Sequence, residues 1–288
     1  CYGLEEIALP YVGSIIGSTG PQSQFGYVFG FSEYQDSYEI PSSKGAGYYY
    51  YIPNSLKSIK IGVETDSYLA HPIDILTNDF DGLKSVESLD LASSQVVTIQ
   101  TGALKGMSAL VNLNLPFIAS SRFGDIFGTV SYGGSYEVPS NTGGINYYIP
   151  SSLQNVIIKN NKQIEINSYA FENCHSIKSL SIGQDGEGLN VWYIDEGAFK
   201  GCYGLEEITL PYIGREVGTS GLETRFGFIF GTDEYSYSYT VPTGEAGVFY
   251  IPTNLKTIKV GAGSASSFTI SSNAFDGITS VEHLDLSS

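Results

Sequence analysis

The sequence predicts a repeat solenoid, a leucine-rich-repeat type of fold, whose spine is a parallel β-sheet of about nine strands with three hairpin-rich insertions. Three observations predict it. Residues 1–10 (CYGLEEIALP) and 202–211 (CYGLEEITLP) agree at nine of ten positions. The core of that match, aliphatic-x-x-aliphatic-x-aliphatic, recurs nine times in 288 residues, and all 27 of its key positions are aliphatic. Successive copies start 24 to 30 residues apart in five of eight intervals, near the roughly 20–29 of leucine-rich repeats.

In chain order the copies are Leu4/Ile7/Leu9, Leu56/Ile59/Ile61, Val86/Leu89/Leu91, Leu110/Leu113/Leu115, Leu153/Val156/Ile158, Ile177/Leu180/Ile182, Leu205/Ile208/Leu210, Leu255/Ile258/Val260 and Val281/Leu284/Leu286. The last two apolar positions of each are two apart, which is strand periodicity: they point inward and the residue between them points out. So short a strand cannot bury its apolar face alone, and stacking the copies makes one continuous core.

The three longer intervals, of 52, 43 and 50 residues, hold insertions at 11–53, 117–150 and 212–252. Each insertion follows a Leu-Pro: Leu9-Pro10, Leu115-Pro116, Leu210-Pro211. Each carries Phe-Gly-x-x-Phe-Gly (Phe25 to Gly30, Phe123 to Gly128, Phe226 to Gly231), then Tyr-x-apolar-Pro (Tyr38 to Pro41, Tyr136 to Pro139, Tyr239 to Pro242). Each ends on aromatic-Tyr-Ile-Pro: Tyr50 to Pro53, Tyr147 to Pro150, Phe249 to Pro252. Gly and Pro punctuation around alternating Tyr predicts hairpins. The chain therefore reads as a single solenoid over 1–288, with super-repeats 1–93, 94–183 and 184–288. Neither end carries the polar capping repeat a solenoid needs, so a fragment of a longer chain is expected.

A second signature precedes five of the strands: Asp79-Phe80-Asp81-Gly82, Ala103-Leu104-Lys105-Gly106, Ala170-Phe171-Glu172-Asn173, Ala198-Phe199-Lys200-Gly201 and Ala274-Phe275-Asp276-Gly277. The stretch YIDEGAFKGCYGLEEITLP (193–211), with its relatives at 164–182 and 270–286, resembles the BspA-like leucine-rich repeats of bacterial surface proteins and some protists. The resemblance implies a bacterial cell-surface or secreted protein used for adhesion or interaction. It implies no set of catalytic residues.

Composition removes other classes. Thirty acidic against 14 basic residues leave a net charge of −16, which argues against a nucleic-acid partner. No run approaches 18 apolar residues, so no membrane insertion is expected in this segment. There is no G-x-S-x-G, no P-loop and no G-x-G-x-x-G. Asn78-Asp79-Phe80-Asp81-Gly82 resembles a calcium loop, but its twelfth position is Ser88 in place of Glu. His71, His175 and His283 have no ligand spacing around them. No enzyme, cofactor or metal is expected. Cys1, Cys174 and Cys202 occupy the slot that Leu83, Met107 and Ile278 fill in other repeats, so they read as buried free thiols. Stacked about 4.8 Å apart, Cys174 and Cys202 are also close enough to be bridged.

Two surfaces remain as candidates for function. Outward strand positions alternate in charge: Glu6, Lys60, Asp90, and later Glu207, Lys259, Asp285, flanked by Glu5, Lys57, Glu87 and by Glu206, Lys256, Glu282. Such a ladder stabilises a sheet. The middle super-repeat replaces it with Asn112, Asn114, Asn155, Ile157, Ser179 and Ser181, a neutral hydrogen-bonding patch suited to recognition. The second surface is tyrosine-rich, since 17 of the 22 Tyr fall in the insertions. Tyr48, Tyr49, Tyr50, Tyr147, Tyr148, Tyr235, Tyr237 and Tyr239 are the candidates, the last three spaced to share one strand face. Exposed, these rings suit a protein or glycan ligand. Packed, they are the core of the insertions. A non-catalytic interaction or adhesion module is the leading expectation, and a structural spacer of a large surface protein is the alternative. A binder exposes a contiguous apolar or aromatic patch; a spacer packs its rings.

Overall fold

The computed structural model describes residues 3–62, 71–139, 144–159, 164–183, 191–245, 247–261 and 269–287; Cys1 lies outside them. In chain order the strands are β1 (Glu6–Leu9), β2 (Ser37–Pro41), β3 (Tyr49–Pro53), β4 (Ser58–Ile61), β5 (Ile73–Ile75), β6 (Ser88–Asp90), β7 (Val96–Ile99), β8 (Asn112–Leu115), β9 (Ser135–Val138) and β10 (Tyr147–Pro150). They continue with β11 (Asn155–Ile158), β12 (Ile164–Ile166), β13 (Ser179–Ile182), β14 (Val191–Ile194), β15 (Glu207–Leu210), β16 (Ser238–Pro242), β17 (Val248–Pro252), β18 (Thr257–Val260) and β19 (His283–Asp285). The nine aliphatic motifs are the nine strands of one sheet, ordered β1-β4-β6-β8-β11-β13-β15-β18-β19.

The chain groups into two compact units: Cys1–Ala119 with Gly124–Leu153, and Ser120–Phe123 with Gln154–Ser288. In the first, parallel register sets Ile7 beside Ile59, Ile59 beside Leu89, and Leu89 beside Leu113. In the second, the row is Val156, Leu180, Ile208, Ile258, Leu284. Seven of the strand entries are fixed by one carbonyl that accepts two backbone N–H groups. Glu5 O accepts from Lys57 and Ser58 in the first unit, and Lys178 O accepts from Glu206 and Glu207 in the second. The interior strands bury their aliphatic rows. Ile7 in β1 is half-buried and Leu284 in β19 is 46% exposed, because each of these strands pairs on one side alone.

Ahead of five of these strands runs a turn that the second signature builds. Its first position is left-handed: Asn78 and Gly102 in the first unit (φ 63° and 72°), Tyr169, Gly197 and Asn273 in the second (φ 63°, 68° and 64°). The large apolar residue two positions on is buried at Phe80, Leu104, Phe171 and Phe199 and half-buried at Phe275; Phe80 N–H donates to Ala103 O and Phe171 N–H to Ala198 O of the next turn. Two short parallel pairs, β5 with β7 and β12 with β14, lead into these turns. Cys174 and Cys202 lie beneath the turns as buried free thiols, and the Cys202 Sγ–H donates to Phe171 O at 3.0 Å. The bridge that their spacing permits is not formed.

Each insertion has two parts. The Phe-Gly-x-x-Phe segment is a 3-10 helix, Phe25–Phe29, Phe123–Phe127 or Phe226–Phe230. It serves as one rung of the turn ladder. Phe25 N–H donates to Asp79 O in the first unit; Phe123 N–H donates to Ala170 O and Phe226 N–H to Ala274 O in the second. The second part is an antiparallel hairpin, β2–β3, β9–β10 or β16–β17. The first Gly of the motif explains the junction. A Cβ on Gly26 would stand 2.7 Å from the Tyr50 ring, one on Gly124 2.8 Å from Tyr147, and one on Gly227 2.7 Å from Phe249. Only hydrogen leaves room for the hairpin's aromatic residue to lie on the helix.

Candidate functional site

The charged residues around the turns are engaged in holding the structure together. Gln24, Arg122 and Arg225 stand just before Phe-Gly. Each donates a side-chain N–H to the carbonyl of a left-handed turn residue: Asn78 (3.1 Å), Tyr169 (3.0 Å) and Asn273 (3.1 Å). Glu172 is buried between Arg122 (3.3 Å) and Lys200 (3.7 Å). Asp79, in the segment that resembles a calcium loop, accepts from Leu76 N–H at 2.7 Å and Ser23 Oγ at 3.2 Å and pairs with the Lys44 ammonium. Burial raises its carboxyl above the usual range, against the pull of Lys44. An ammonium thus occupies the place a cation would take. Among the described residues no group of three or more His, Cys, Asp or Glu is arranged to hold a metal ion.

The candidate tyrosines separate into packed and exposed rings. Tyr50 and Tyr147 are buried on Gly26 and Gly124, which removes them from the contact surface expected of them. The glycine sockets that sit beneath them are the reason. Tyr148 is half-buried with its hydroxyl on Glu137 (3.2 Å). Tyr235 donates to Tyr250 O at 2.8 Å, and burial pushes its phenol up. The Tyr239 hydroxyl contacts Ser280 Oγ at 3.0 Å and accepts from Thr279 N–H at 3.0 Å, docking the hairpin on the following turn. Tyr235, Tyr237 and Tyr239 do not share a strand face. Strand β16 begins at Ser238 and Tyr237 is left-handed at φ 57°. Its equivalents are Asp36 (φ 60°) and Gly134 (φ 84°). Each of the three offers its carbonyl to the residue after the hairpin's terminal Pro, namely Asn54, Ser151 and Thr253.

Among the described residues Trp192 on β14 is 58% exposed, and two aromatic clusters reach solvent besides it. In the second unit Tyr237 is 68% exposed. It packs on Tyr203 at 5.2 Å, and Tyr203 stacks on His175 at 4.9 Å with rings 7° from parallel. Burial lowers the His175 imidazole. In the first unit Phe31 and Tyr48 are each 49% exposed. Phe31 contacts Tyr27 (5.7 Å), Tyr48 (5.8 Å) and the buried Tyr50 (5.6 Å). Tyr49 and Val28 are exposed as well. Phe31 was not among the expected contact residues. Its signal was there, since Gly30 is followed by Phe where Gly128 and Gly231 are followed by Thr.

On the sheet the charge ladder is formed. Lys57 meets Glu87 (2.7 Å) and Lys60 meets Asp90 (3.7 Å) in the first unit. Lys178 meets Glu206 (3.4 Å), Lys259 meets Glu207 (2.7 Å) and Lys256 meets Glu282 (2.9 Å) in the second. Asn112 is exposed and Asn114 half-buried on β8; Asn155 is half-buried on β11. Ser181 departs from the expected neutral surface. It is buried beside Thr209, and its hydroxyl has no partner among the described residues.

The left-handed entry, the Phe or Leu two positions on and the second left-handed residue recur from turn to turn in both units. Residues 73–190 and 164–288 match the BspA type leucine rich repeat region, in six copies. The chain belongs to this family. BspA-type leucine-rich repeats are associated with bacterial surface proteins and are generally non-catalytic, and leucine-rich-repeat domains generally mediate protein interactions. No curated protein and no solved structure matches the chain. Among the described residues no helix is long and apolar enough to cross a membrane.

Proposed function

We propose that this BspA-type repeat chain is a non-catalytic adhesion module of a secreted or surface-anchored bacterial protein. It binds a protein or glycan through the aromatic cluster of its first insertion. One observation carries the reading: Phe31 is half exposed and seated on the buried Tyr50, with Tyr27 and Tyr48 at its sides. A ring held from below loses little side-chain entropy when a ligand covers it, and aromatic anchors of this kind dominate binding energies. An array of glycans and surface proteins probed with the chain, then with Phe31→Ala/Tyr48→Ala, tests it. Loss of the captured ligand at unchanged unfolding temperature supports the proposal, and capture that survives the double substitution sinks it.

The packed rings of Tyr50, Tyr147, Tyr235 and Tyr239 favour a second reading, a spacer with no ligand of its own. A chain that captures nothing on such an array, while unfolding cooperatively, supports the spacer.

A further inference from the structure

We infer that the second unit carries a binding groove for a uronic-acid sugar, centred on Arg225. The groove is about 360 Å³ and lies where the segment before Phe226, the tip of the last hairpin and the turn before Ala274 meet. That volume is in the range of small-ligand sites. Leu222 is the one aliphatic side chain among its lining residues; the others are Thr, Ser, Asn, Gly, Arg225 and Glu245.

The corresponding corner of the first unit shows what makes this one different. There Gln24 holds Asn78 O, and Lys44 reaches from the hairpin tip to Ser23 (2.6 Å) and Asp79. Gly45 lies so close to Pro21 that no Cβ fits between them. That corner is filled and its charges are matched. In the second unit each of these parts is replaced. Arg225 stands for Gln24, Ala274 for Asp79, and Glu245 for Lys44, each tip residue donating its N–H to the preceding Ser42 or Thr243 hydroxyl at 3.2 Å. Among the described residues nothing takes the place of the Lys44 plug, and a guanidinium stands in place of a neutral amide.

Arg225 is only partly used by the protein. Its Nη1 donates to Asn273 O at 3.1 Å and lies 3.8 Å from Asp276. Its Nε and Nη2 have no acceptor among the described residues. The guanidinium lies against Gly244, where a side chain would collide with it. A planar donor edge of this kind recognises a carboxylate through two parallel hydrogen bonds. The hydroxyls of Ser220, Ser271 and Ser272 line the same groove with no protein partner among the described residues. A carboxylate carried on a ring of hydroxyls uses both features. A peptide carboxylate next to apolar side chains uses only the first.

This site is separate from the Phe31 cluster, and its test does not depend on that one. Calorimetric titration of the chain with a galacturonate tetramer, its methyl ester, sodium acetate and inorganic phosphate examines the groove. The tetramer is expected to bind, and the ester at least about tenfold more weakly because the paired charge is lost. Arg225→Gln restores the residue of the first unit and keeps the bond to Asn273. It is expected to weaken the tetramer about tenfold while leaving the unfolding temperature in place. Glu245→Gln removes the carboxylate among the groove's lining residues, and at low salt it is expected to tighten the tetramer about twofold. No binding of the tetramer, equal binding of the ester, or equal binding of acetate or phosphate overturns the proposal. An Arg225→Gln chain that folds and binds unchanged overturns it as well. If that chain does not fold, Glu245→Gln decides alone, and an unchanged affinity counts against the groove.

Discussion

Single residues set the strictest limits on this chain, and glycine is the first. Gly227 needs no unusual φ; it needs to be small, because Phe249 lies where its Cβ would be. Gly227→Ala is expected to destabilise by about 1–3 kcal/mol, the usual cost of an overpacked contact, read as a lower midpoint in urea unfolding. Tyr237 is the opposite case. A bulky residue sits in the left-handed region where its equivalent in the second insertion is Gly134. Strain there costs on the order of 1 kcal/mol, and the contact with Tyr203 recovers part of it. Tyr237→Gly is therefore expected to leave stability nearly unchanged. A loss above about 2 kcal/mol would show that the stack dominates. His175 adds a pH dependence. Burial lowers its imidazole, so the stability it contributes is complete above the ordinary value near 6.5 and is lost as pH falls through the lower folded value. His175→Gln is expected to flatten the unfolding-temperature profile below about pH 6.5. Among the thiols, burial pushes Cys202 up to about 12 and Cys174 well above its ordinary value. A Cys1→Ser chain is expected to give no reaction with a thiol reagent until it unfolds, and then two equivalents.

At the scale of elements, the turns are tied by ions. Glu172 is buried and meets Arg122 and Lys200. Arg122→Ala takes one of these cations away from that buried carboxylate, and the expected loss is about 3–5 kcal/mol. Glu172→Gln with Arg122→Met is expected to recover much of it. The sheet strands were readable in the sequence because burial on one face leaves an aliphatic residue at every second position, as in Leu180 and Ile182. Strands β5 and β12 were not. Each is three residues long and shifts register after its first residue, so alternation never runs far enough to be seen. The Tyr235/Tyr237/Tyr239 spacing failed for a similar reason. Alternation is blind to one left-handed residue, and only Gly134 at the equivalent position marked it. The exposed cluster was half readable, because tyrosine enrichment pointed to Tyr48 and Tyr49 while Phe31 lay outside that count.

At the scale of the whole molecule, two electrostatic effects oppose each other. The five ion pairs on the sheet among the described residues are exposed and contribute little, and salt weakens them. A net charge of −16 over one folded chain repels itself, and salt relieves that. Many long-range repulsions outweigh five screened pairs, so unfolding temperature is expected to rise between low and moderate NaCl. A fall would place the sheet pairs in control.

The glycine socket has a consequence for how such a chain can change. Each hairpin is fastened at its base: an aromatic ring on Gly26, Gly124 or Gly227, and an N–H from Tyr51, Tyr148 or Tyr250 to the carbonyl of Gly30, Gly128 or Gly231. The far ends differ: Lys44 adds a second fastening in the first hairpin, to Ser23 and the buried Asp79, and Glu245 stands in its place in the last. The frame therefore behaves as a rack whose last tip is interchangeable. New sequence can be tried at Glu245 without renegotiating the core, whereas a change at Lys44 must also answer for the buried Asp79, so specificity is edited apart from folding only at the last tip.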